Sequence, residues 1–296
     1  MKNGLGLLTL LILASAASAS ELADAATLEK TISDSFFETN GIFLSMTNDG
    51  TDYWSLSGGF NVSTVTRYDP DGNVLERWDI TQDGRTIAYN PENGRIYVKD
   101  YITNSLYALD CGTDTGFTYE LVPGFGNRFQ YNQSKIAFSP DGLYLYDHYK
   151  GTVRKYELAT GNIMETITLD PEFTFSLDHP ENYQIGTDGE RLFFIHEGMV
   201  KAYAMNGTHI KDITGMPTGF LAIWSFSGTD NLIWTYNDDT LVWEGYGIYA
   251  IPPEPAGHAQ LQICTQTNAP MFPAAGLPIG IMAATLAGAY GIARKQ

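Results

Sequence analysis

Residues 135–169 read KIAFSPDGLYLYDHYKGTVRKYELATGNIMETITL and decide the fold class of this chain. Four short runs rich in Tyr, Phe, Ile, Leu and Val are separated by three turn signals. The turns contain Gly142, Gly151 and Gly161, and glycine supplies the positive φ that tight hairpins require. Four antiparallel strands in a segment of this length are typical of one blade of a β-propeller.

Weaker copies of this unit occur on both sides of it. Their first-hairpin glycines, which recur every 40 to 50 residues, are Gly50, Gly94, Gly142 and Gly189. We therefore predict an all-β propeller of about five four-stranded blades over residues 41–267, with its last strand at 258–265. Residues 20–40 form a lead-in segment, read as a short helix or a strand, and six blades are the alternative if it contributes strands. A β-sandwich would not explain the repeated four-strand unit.

Two of these units also resemble a known repeat family. The strings IAYNPENGRIYVKDYITNSLYALD at 87–110 and IAFSPDGLYLYDHYKGTVRKYELATGNIMETI at 136–167 are similar to YVTN-type and WD40-like surface propeller repeats. The resemblance covers two blades well and the other three loosely. It implies a propeller fold, an extracellular setting and often a binding role, but no particular chemistry.

Composition sets limits on the partners of the chain. An apolar content of 44% with 13% aromatic residues is ample for a packed core. The 34 acidic residues outnumber the 17 basic ones and give a formal charge of −17. Such a surface repels phosphate backbones, so we expect no nucleic-acid partner. The acidity suits a soluble extracellular surface, or one that meets cations.

Both ends of the chain carry targeting signals. Lys2, an apolar run at 5–14 and the small residues at 17–19 are arranged as in a secretory signal peptide, so we predict a signal peptide at 1–19 and export. Residues 277–293 are apolar and are followed by Arg294 and Lys295, which predicts a membrane helix within 268–296 with a cytoplasmic end.

The C-terminal segment also resembles the archaeal PEF-type sorting signals and, more distantly, the bacterial PEP-type. Pro270, Phe272 and Pro273 occupy the motif position, while Met271 stands where the family has Glu. The resemblance implies an archaeal protein at the outer face of the cell membrane or in the envelope. A functional signal implies that the helix is removed after sorting; otherwise the helix itself is the anchor.

Covalent modification is predicted at a few positions. Cys111 and Cys264 form one disulfide or remain two buried thiols, since an even count permits either in an exported chain. Three sequons make Asn61, Asn132 and Asn206 candidate glycosylation sites.

One set of polar residues suggests a ligand or metal site. When the blades are superposed by their first hairpins, the second strands end in acidic and imidazole side chains, which project from one face: Asp100, Asp147, His148, His196, Glu197 and Asp238. Oxygen ligands there would favour Ca²⁺, and two imidazoles would favour a transition metal. The alternative is that these residues only form polar turns.

No nucleophile signature or phosphate-binding glycine loop occurs in the chain, which favours a non-catalytic role. We therefore expect an exported, surface-anchored propeller that acts as a binding or adhesion module for an unidentified surface ligand or protein. One alternative is a metal-dependent hydrolase or lactonase that uses the polar face, with Ca²⁺ or another divalent ion as its cofactor. A structural component of the envelope is the other.

Overall fold

The structure, a computed structural model, describes residues 20–34, 42–58, 62–110, 118–170, 183–217 and 224–252. In these ranges the chain forms twenty β-strands in five four-stranded antiparallel sheets, so the predicted five-bladed propeller is confirmed. Four predictions concern residues outside these ranges: the signal peptide, the two cysteines, Asn61, and the C-terminal segment with Pro270, Phe272 and Pro273. None of the described segments is a helix that could span a membrane.

The first four blades follow the order of the chain, and each begins with its inner strand. Blade 1 contains β2 (Ile42–Asn48), β3 (Tyr53–Gly58), β4 (Ser63–Tyr68) and β5 (Val74–Ile80). Blade 2 contains β6 (Gly84–Asn90), β7 (Arg95–Asp100), β8 (Leu106–Asp110) and β9 (Thr118–Leu121). Blade 3 contains β10 (Ile136–Phe138), β11 (Tyr144–Tyr149), β12 (Thr152–Glu157) and β13 (Ile163–Thr168). Blade 4 contains β14 (Gly186–Thr187), β15 (Arg191–His196), β16 (Met199–Ala204) and β17 (His209–Ile213).

Blade 5 combines the two ends of the described chain. Its inner strand is β18 (Trp224–Ser227), followed outwards by β19 (Leu232–Asn237) and β20 (Val242–Ile251). Its outer strand is β1 (Glu21–Ser33), which pairs antiparallel with β20. The outer position that we predicted for residues 258–265 is therefore taken by β1. The lead-in segment is a strand rather than a helix, and it joins blade 5 instead of starting a sixth blade. This pairing closes the ring because β1 and β20 each cover the other's open edge.

Further contacts fix β1 to the blades on both sides of blade 5. The Ala26 amide donates to the Thr214 carbonyl of blade 4 at 2.7 Å, and the Thr214 amide donates to the Asp24 carbonyl at 3.1 Å. On the other side, the Lys30 ammonium donates to the Pro70 carbonyl of blade 1 at 2.6 Å. The N-terminal strand therefore contacts three blades.

Asp34, directly after β1, joins blades 1 and 5. Its buried carboxylate accepts hydrogen bonds from the Tyr68 hydroxyl at 2.6 Å and from the Arg77 guanidinium at 2.7 Å, both in blade 1. Its backbone carbonyl accepts the Tyr236 hydroxyl of blade 5 at 2.7 Å. Asp34 therefore links blade 1 to blade 5 where the ring closes.

The apolar core is divided among the interfaces between blades. Side chains of neighbouring sheets form separate clusters, and the outer strands β9 and β13 are almost entirely exposed. The cluster between blades 5 and 1 contains Ile32 of β1 together with Phe43, Trp234 and Trp243. Loss of any strand that contributes to such an interface therefore exposes apolar surface on two blades.

The first hairpins have the geometry expected from their glycines. Gly50, Gly94, Gly142 and Gly189 all have φ between 66° and 94°. At Gly142 a side chain is excluded as well, because a Cβ would lie 2.2 Å from the Asn90 side-chain oxygen. Asn90 uses this close approach to donate to the Gly142 carbonyl at 2.9 Å and so links blades 2 and 3.

Candidate functional site

The five inner strands surround a central channel whose wall is held together by small hydroxyl side chains. Ser225 of blade 5 donates to the Met46 carbonyl at 2.6 Å and accepts the Met46 amide at 2.9 Å. Ser45 of blade 1 donates to the Ile87 carbonyl of blade 2 at 3.1 Å. These bonds satisfy backbone groups that no sheet ladder reaches and fix the positions of neighbouring inner strands.

The channel has two ends, which we name by the elements that surround them. The second-strand face is the end at which β7, β11, β15 and β19 finish. The first-turn face is the opposite end and carries the turns at residues 49–52, 91–94, 139–142, 188–190 and 228–231. The register places each second-strand end beside the start of an inner strand, as in the pairs Gly84 with Asp100 and Ile136 with Asp147.

A buried lysine lies across the channel near the second-strand face. Lys135, just before β10, is 4% exposed, and its ammonium donates to the carbonyls of Trp224, at 2.7 Å, and of Leu44. One side chain of blade 3 therefore holds blades 5 and 1. Burial lowers the pKa of Lys135 to about 7. Sequence reasoning missed this residue, although a charged side chain directly before an apolar inner strand was a usable signal.

A second buried lysine lies between blades 2 and 3. Lys99 of β7 donates to the Asn132 carbonyl at 2.5 Å and lies 5.3 Å from the centre of the Phe129 ring. Burial lowers its pKa to about 7, although the nearby carboxylates of Asp147 and Asp100 act in the opposite direction. Lys99 therefore offsets the buried negative charge of Asp147 and Asp100, whereas both acceptors of Lys135 are uncharged carbonyls.

Asp147, a predicted metal ligand, is fully buried and bound to the protein itself. Its carboxylate accepts the Gln130 amide at 2.8 Å and the Gln130 side-chain nitrogen at 3.1 Å. Burial raises the pKa of Asp147, against the effect of these hydrogen bonds and of the Lys99 charge. The carboxylate fixes the loop that precedes β10.

His148, the second central member of the predicted metal set, is also fully buried. Its Nδ1 lies 3.1 Å from the Gln184 carbonyl, and its Nε2 accepts the Gly151 amide at 3.0 Å. The proton consequently lies on Nδ1 in a neutral ring, and burial lowers the pKa of His148 to about 3. A metal ion could bind either nitrogen only after one of these hydrogen bonds had broken.

The other predicted ligands are the last residues of second strands, Asp100 and His196, or lie in the turns that follow, Glu197 and Asp238. The Asp100 carboxylate accepts the amide and the hydroxyl of Thr103 at 2.7 and 2.6 Å. Nε2 of His196 is 3.8 Å from the carboxylate of Glu197, whose φ of 51° belongs to a tight turn, and Asp238 is exposed. In the ranges that the structure covers, no three His, Cys, Asp or Glu side chains are grouped closely enough to hold a metal ion. The six residues share a face, but they do not converge.

His148 makes stability sensitive to acid. The unfolded chain binds a proton at this residue below about pH 6.5, whereas the folded chain does so only near pH 3. The stability that the neutral ring contributes is therefore complete above pH 6.5 and is lost as the pH falls towards 3. We expect His148→Gln to remove up to about 1.4 kcal/mol per pH unit from the pH dependence of the unfolding free energy in this window. Urea unfolding of both proteins from pH 7 to 4 measures the difference, and parallel curves would show that the ring is not buried in its neutral form.

Two predicted sequons differ in accessibility. Asn132 is half-buried, and its carbonyl accepts the Lys99 ammonium. Asn206 is exposed on the turn between β16 and β17, and its side chain accepts the Thr208 amide at 3.0 Å. Glycosylation at these positions stays a prediction.

The first-turn face contains a pocket at the channel mouth, with a cavity volume of about 40 Å³. Residues from all five inner strands and from the turns after them form its lining. The small polar members are Thr47, Asn48, Ser139, Thr187, Ser225 and Thr229. Aromatic rings, prolines, isoleucines, alanines and Gly228 supply the rest of the wall, and none of the described lining residues is Asp, Glu, His, Lys, Arg or Cys. The channel mouth therefore offers hydrogen bonds and apolar contact without a charged side chain.

Two carboxylates that accept hydrogen bonds from tryptophan indoles lie directly behind the rim of the channel mouth. The Asp49 carboxylate accepts the Trp54 indole N–H at 2.6 Å, and the Asp230 carboxylate accepts that of Trp234 at 3.2 Å. Asp49 follows Asn48 in the chain and Asp230 follows Thr229, and both of these neighbours line the mouth. The enclosed carboxylate of Asp230 has its pKa raised to about 6 by burial, so it is mostly ionised at neutral pH.

The sheets and the channel mouth together define a five-bladed β-propeller with a small, uncharged pocket at one end of its channel. No protein-family model and no curated protein matches the chain. Among solved structures, the chain is similar to the glutaminyl cyclase of Myxococcus xanthus, with a TM-score of 0.55 and 9% sequence identity over 78% of this chain and 100% of that one. At this level of identity the similarity shows the fold alone.

Proposed function

We propose that this chain is a binding propeller that recognises its ligand at the channel mouth on the first-turn face. The observation that carries the proposal is the lining of the mouth, which combines hydroxyl, amide and aromatic groups with no ionisable carboxylate, imidazole or amine. Recognition requires donors, acceptors and apolar contact, and the lining supplies all three. The usual groups for acid–base or metal catalysis are carboxylates, imidazoles, amines and thiolates, and the described lining has none of them. The Tyr89 phenol is its one titratable side chain, and burial raises the pKa of Tyr89.

The cellular setting of this proposal rests on the sequence. The features of residues 1–19 favour export, and the apolar segment with its basic end in 268–296 favours attachment to the cell membrane or envelope. A rigid ring held at the surface could present the channel mouth to a ligand outside the cell. We therefore assign the chain to surface binding or adhesion.

The metal-dependent hydrolase or lactonase receives less support from the geometry. The similarity to a glutaminyl cyclase relates this fold to that of an enzyme, but it transfers no site at 9% identity. Asp147 and His148, the two central residues of the predicted metal set, are both buried and both hydrogen-bonded to other parts of the protein. An enzyme that used them would have to break its own inter-blade contacts.

Gly228 provides a direct test of the channel mouth. It lines the mouth, its backbone is not in the left-handed region, and a Cβ there would meet only Phe226, at 4.0 Å. We expect Gly228→Trp to fold normally and to fill the mouth. Thermal melts of the purified chain with a panel of amino acids, sugars and short peptides should reveal a ligand that stabilises the wild type by several degrees and the Gly228→Trp protein not at all.

Gly126 offers a matched control. It is exposed on the loop after β9, and a Cβ there would meet nothing within 4 Å. Gly126→Trp adds the same side chain away from the mouth and should keep the full ligand response. A panel with no stabilising compound, or one whose effect survives in Gly228→Trp, would rule out the channel mouth as the binding site.

A further inference from the structure

Two Asn-Gly pairs lie in turns of the described part of the chain. Asn93 and Gly94 belong to the first turn of blade 2, and Asn206 and Gly207 belong to the turn between β16 and β17. Both asparagine side chains are exposed. Because glycine has no Cβ, its amide nitrogen is the least hindered of any residue. It can therefore reach the side-chain carbonyl carbon of the preceding asparagine, which is the first step of deamidation.

The main chain holds the reacting groups of the two pairs in the same way. The side-chain oxygen of each asparagine accepts the amide two positions later, that of Arg95 at 3.1 Å or that of Thr208 at 3.0 Å. Each carboxamide is therefore folded over the peptide unit of its glycine. Gly94 and Gly207 donate their own amides to main-chain carbonyls, both at 2.9 Å. These contacts do not distinguish the two sites.

The two sites differ at the nitrogen that has to leave. Nδ2 of Asn93 donates to the hydroxyl of Tyr97 at 2.8 Å, and Tyr97 is buried. Nδ2 of Asn206 has no acceptor among the residues that the structure describes. The Asn93 nitrogen must first break its hydrogen bond, and the loss of one typical hydrogen bond corresponds to a factor of roughly two to ten in rate.

We propose that Asn206 is a deamidation site and that Tyr97 protects Asn93 from the same reaction. The Gly207 main-chain nitrogen attacks Cγ of Asn206, and the new C–N bond closes a five-membered succinimide ring. The Cγ–Nδ2 bond breaks, and Nδ2 leaves as ammonia with the proton of the Gly207 amide. Water then opens the ring at either carbonyl and leaves aspartate or isoaspartate. A glycan at the predicted sequon would be attached to the same nitrogen, so the two modifications compete.

The turn that carries Asn206 lies against blade 3. The Gly207 carbonyl accepts the Asp170 amide at 2.8 Å, and the His209 amide donates to the Asp170 carbonyl at 3.1 Å. A Cβ at Gly207 would overlap the Thr168 carbonyl oxygen, so the main chain of the turn has no room to move towards blade 3. Isoaspartate lengthens the main chain before Gly207 by one carbon atom, whereas aspartate does not. Isoaspartate therefore loosens the contact between blades 3 and 4.

Peptide mapping by mass spectrometry tests the assignment. The purified full chain, produced without glycosylation, is aged at mildly alkaline pH, and the conversion of both asparagines is followed in the same sample. We expect Asn206 to convert roughly two to ten times faster than Asn93 in the folded chain. Equal rates at the two positions would overturn the assignment. In urea the two rates should converge, and a difference that persists there would place its cause in the sequence rather than in the turn.

Tyr97→Phe tests the protection directly. The variant keeps the buried ring but removes the hydroxyl that accepts Nδ2 of Asn93. The Asn93 rate should rise to that of Asn206, while the Asn206 rate stays unchanged and serves as the internal control. An unchanged Asn93 rate would contradict the protection. A rise at both positions would show that the variant had lost its fold, and the comparison of the folded and urea-treated wild type then decides.

Thermal melts test the effect on the blades. The isoaspartate form is separated chromatographically from aged protein and compared with Asn206→Asp, which carries the same added charge and keeps the acceptor for the Thr208 amide. We expect the isoaspartate form to melt at a lower temperature than Asn206→Asp. Equal midpoints would show that the longer main chain leaves the contact between blades 3 and 4 intact.

Discussion

A chain that lacks residues 20–33 is expected to lose its cooperative unfolding transition. The deletion removes β1, whose antiparallel pairing with β20 runs from Ser33 opposite Val242 to Glu21 opposite Ile251, and it exposes the cluster that contains Ile32. The lost hydrogen bonds and buried apolar area amount to on the order of 10 kcal/mol. That is comparable to the whole free energy of unfolding of a typical domain, so the shortened chain should not form a stable closed ring.

Circular dichroism melts of chains that begin at Ser20 and at Asp34 make this comparison. A synthetic peptide of residues 20–34 should restore the transition to the shorter chain, because it can add as a strand to the open edge of β20. The same peptide with Ile32→Asp should not, since Ile32 is 1% exposed in the closed ring. An unchanged melt of the shorter chain would show that another segment closes the propeller.

Asp34→Ala is expected to lower the unfolding free energy by about 3 kcal/mol, because it removes the partner of a buried hydroxyl and of a charged guanidinium. The Tyr68 hydroxyl retains only its contact with Ser55, at 2.8 Å, and the Arg77 guanidinium loses its carboxylate. Asp34→Asn keeps one acceptor oxygen without the charge and should fall between the wild type and Asp34→Ala. Urea unfolding curves measure all three proteins.

Asp71→Ala is the matched control for this series. Asp71 lies in blade 1, on the exposed turn between Tyr68 and Arg77, and its replacement should change the unfolding free energy by no more than about 0.5 kcal/mol. Equal losses in Asp34→Ala and Asp71→Ala would mean that Asp34 has no special part in joining blades 1 and 5.

The blades were predictable because their hairpins are local. Each first turn combines a glycine at positive φ, such as Gly94 or Gly142, with apolar strands on either side, and this chemistry is complete within a few residues. The boundaries predicted for the third blade, residues 135–169, enclose β10 to β13. Fold class and blade count follow from repeating that local unit.

The closing strand was not predictable in the same way. The central residues of β1 are mostly exposed or half-buried, so its sequence lacks the strict alternation of a half-buried strand. Its partner lies more than two hundred positions away, and no turn between them sets the register. The alternating stretch HAQLQICT at 258–265 follows the blade 5 repeat in the sequence and was therefore the better candidate by local criteria.

The candidate site shows the same limit. Sequence reasoning placed Asp147 and His148 correctly at the end of a second strand, but their partners Gln130 and Gln184 come from other segments. A strand-end carboxylate or imidazole can face solvent or fill an inter-blade gap, and only the packed neighbour decides between them. Lys135 was overlooked for the same reason, because Leu44 and Trp224 approach it only in the closed ring.

Closure by the N-terminal strand also sets an order of events during synthesis. Thr31 faces Glu244 in the finished ring, so β1 leaves the ribosome first and must wait for nearly the whole propeller to follow. At about 5–20 residues per second this interval is roughly 10–40 s. Bringing such distant segments together has an entropic cost of about 5 kcal/mol. The blades can form one by one as they are made, but the ring is completed only after translation of β20, and until then β1 and the edge of blade 5 are exposed to other strands.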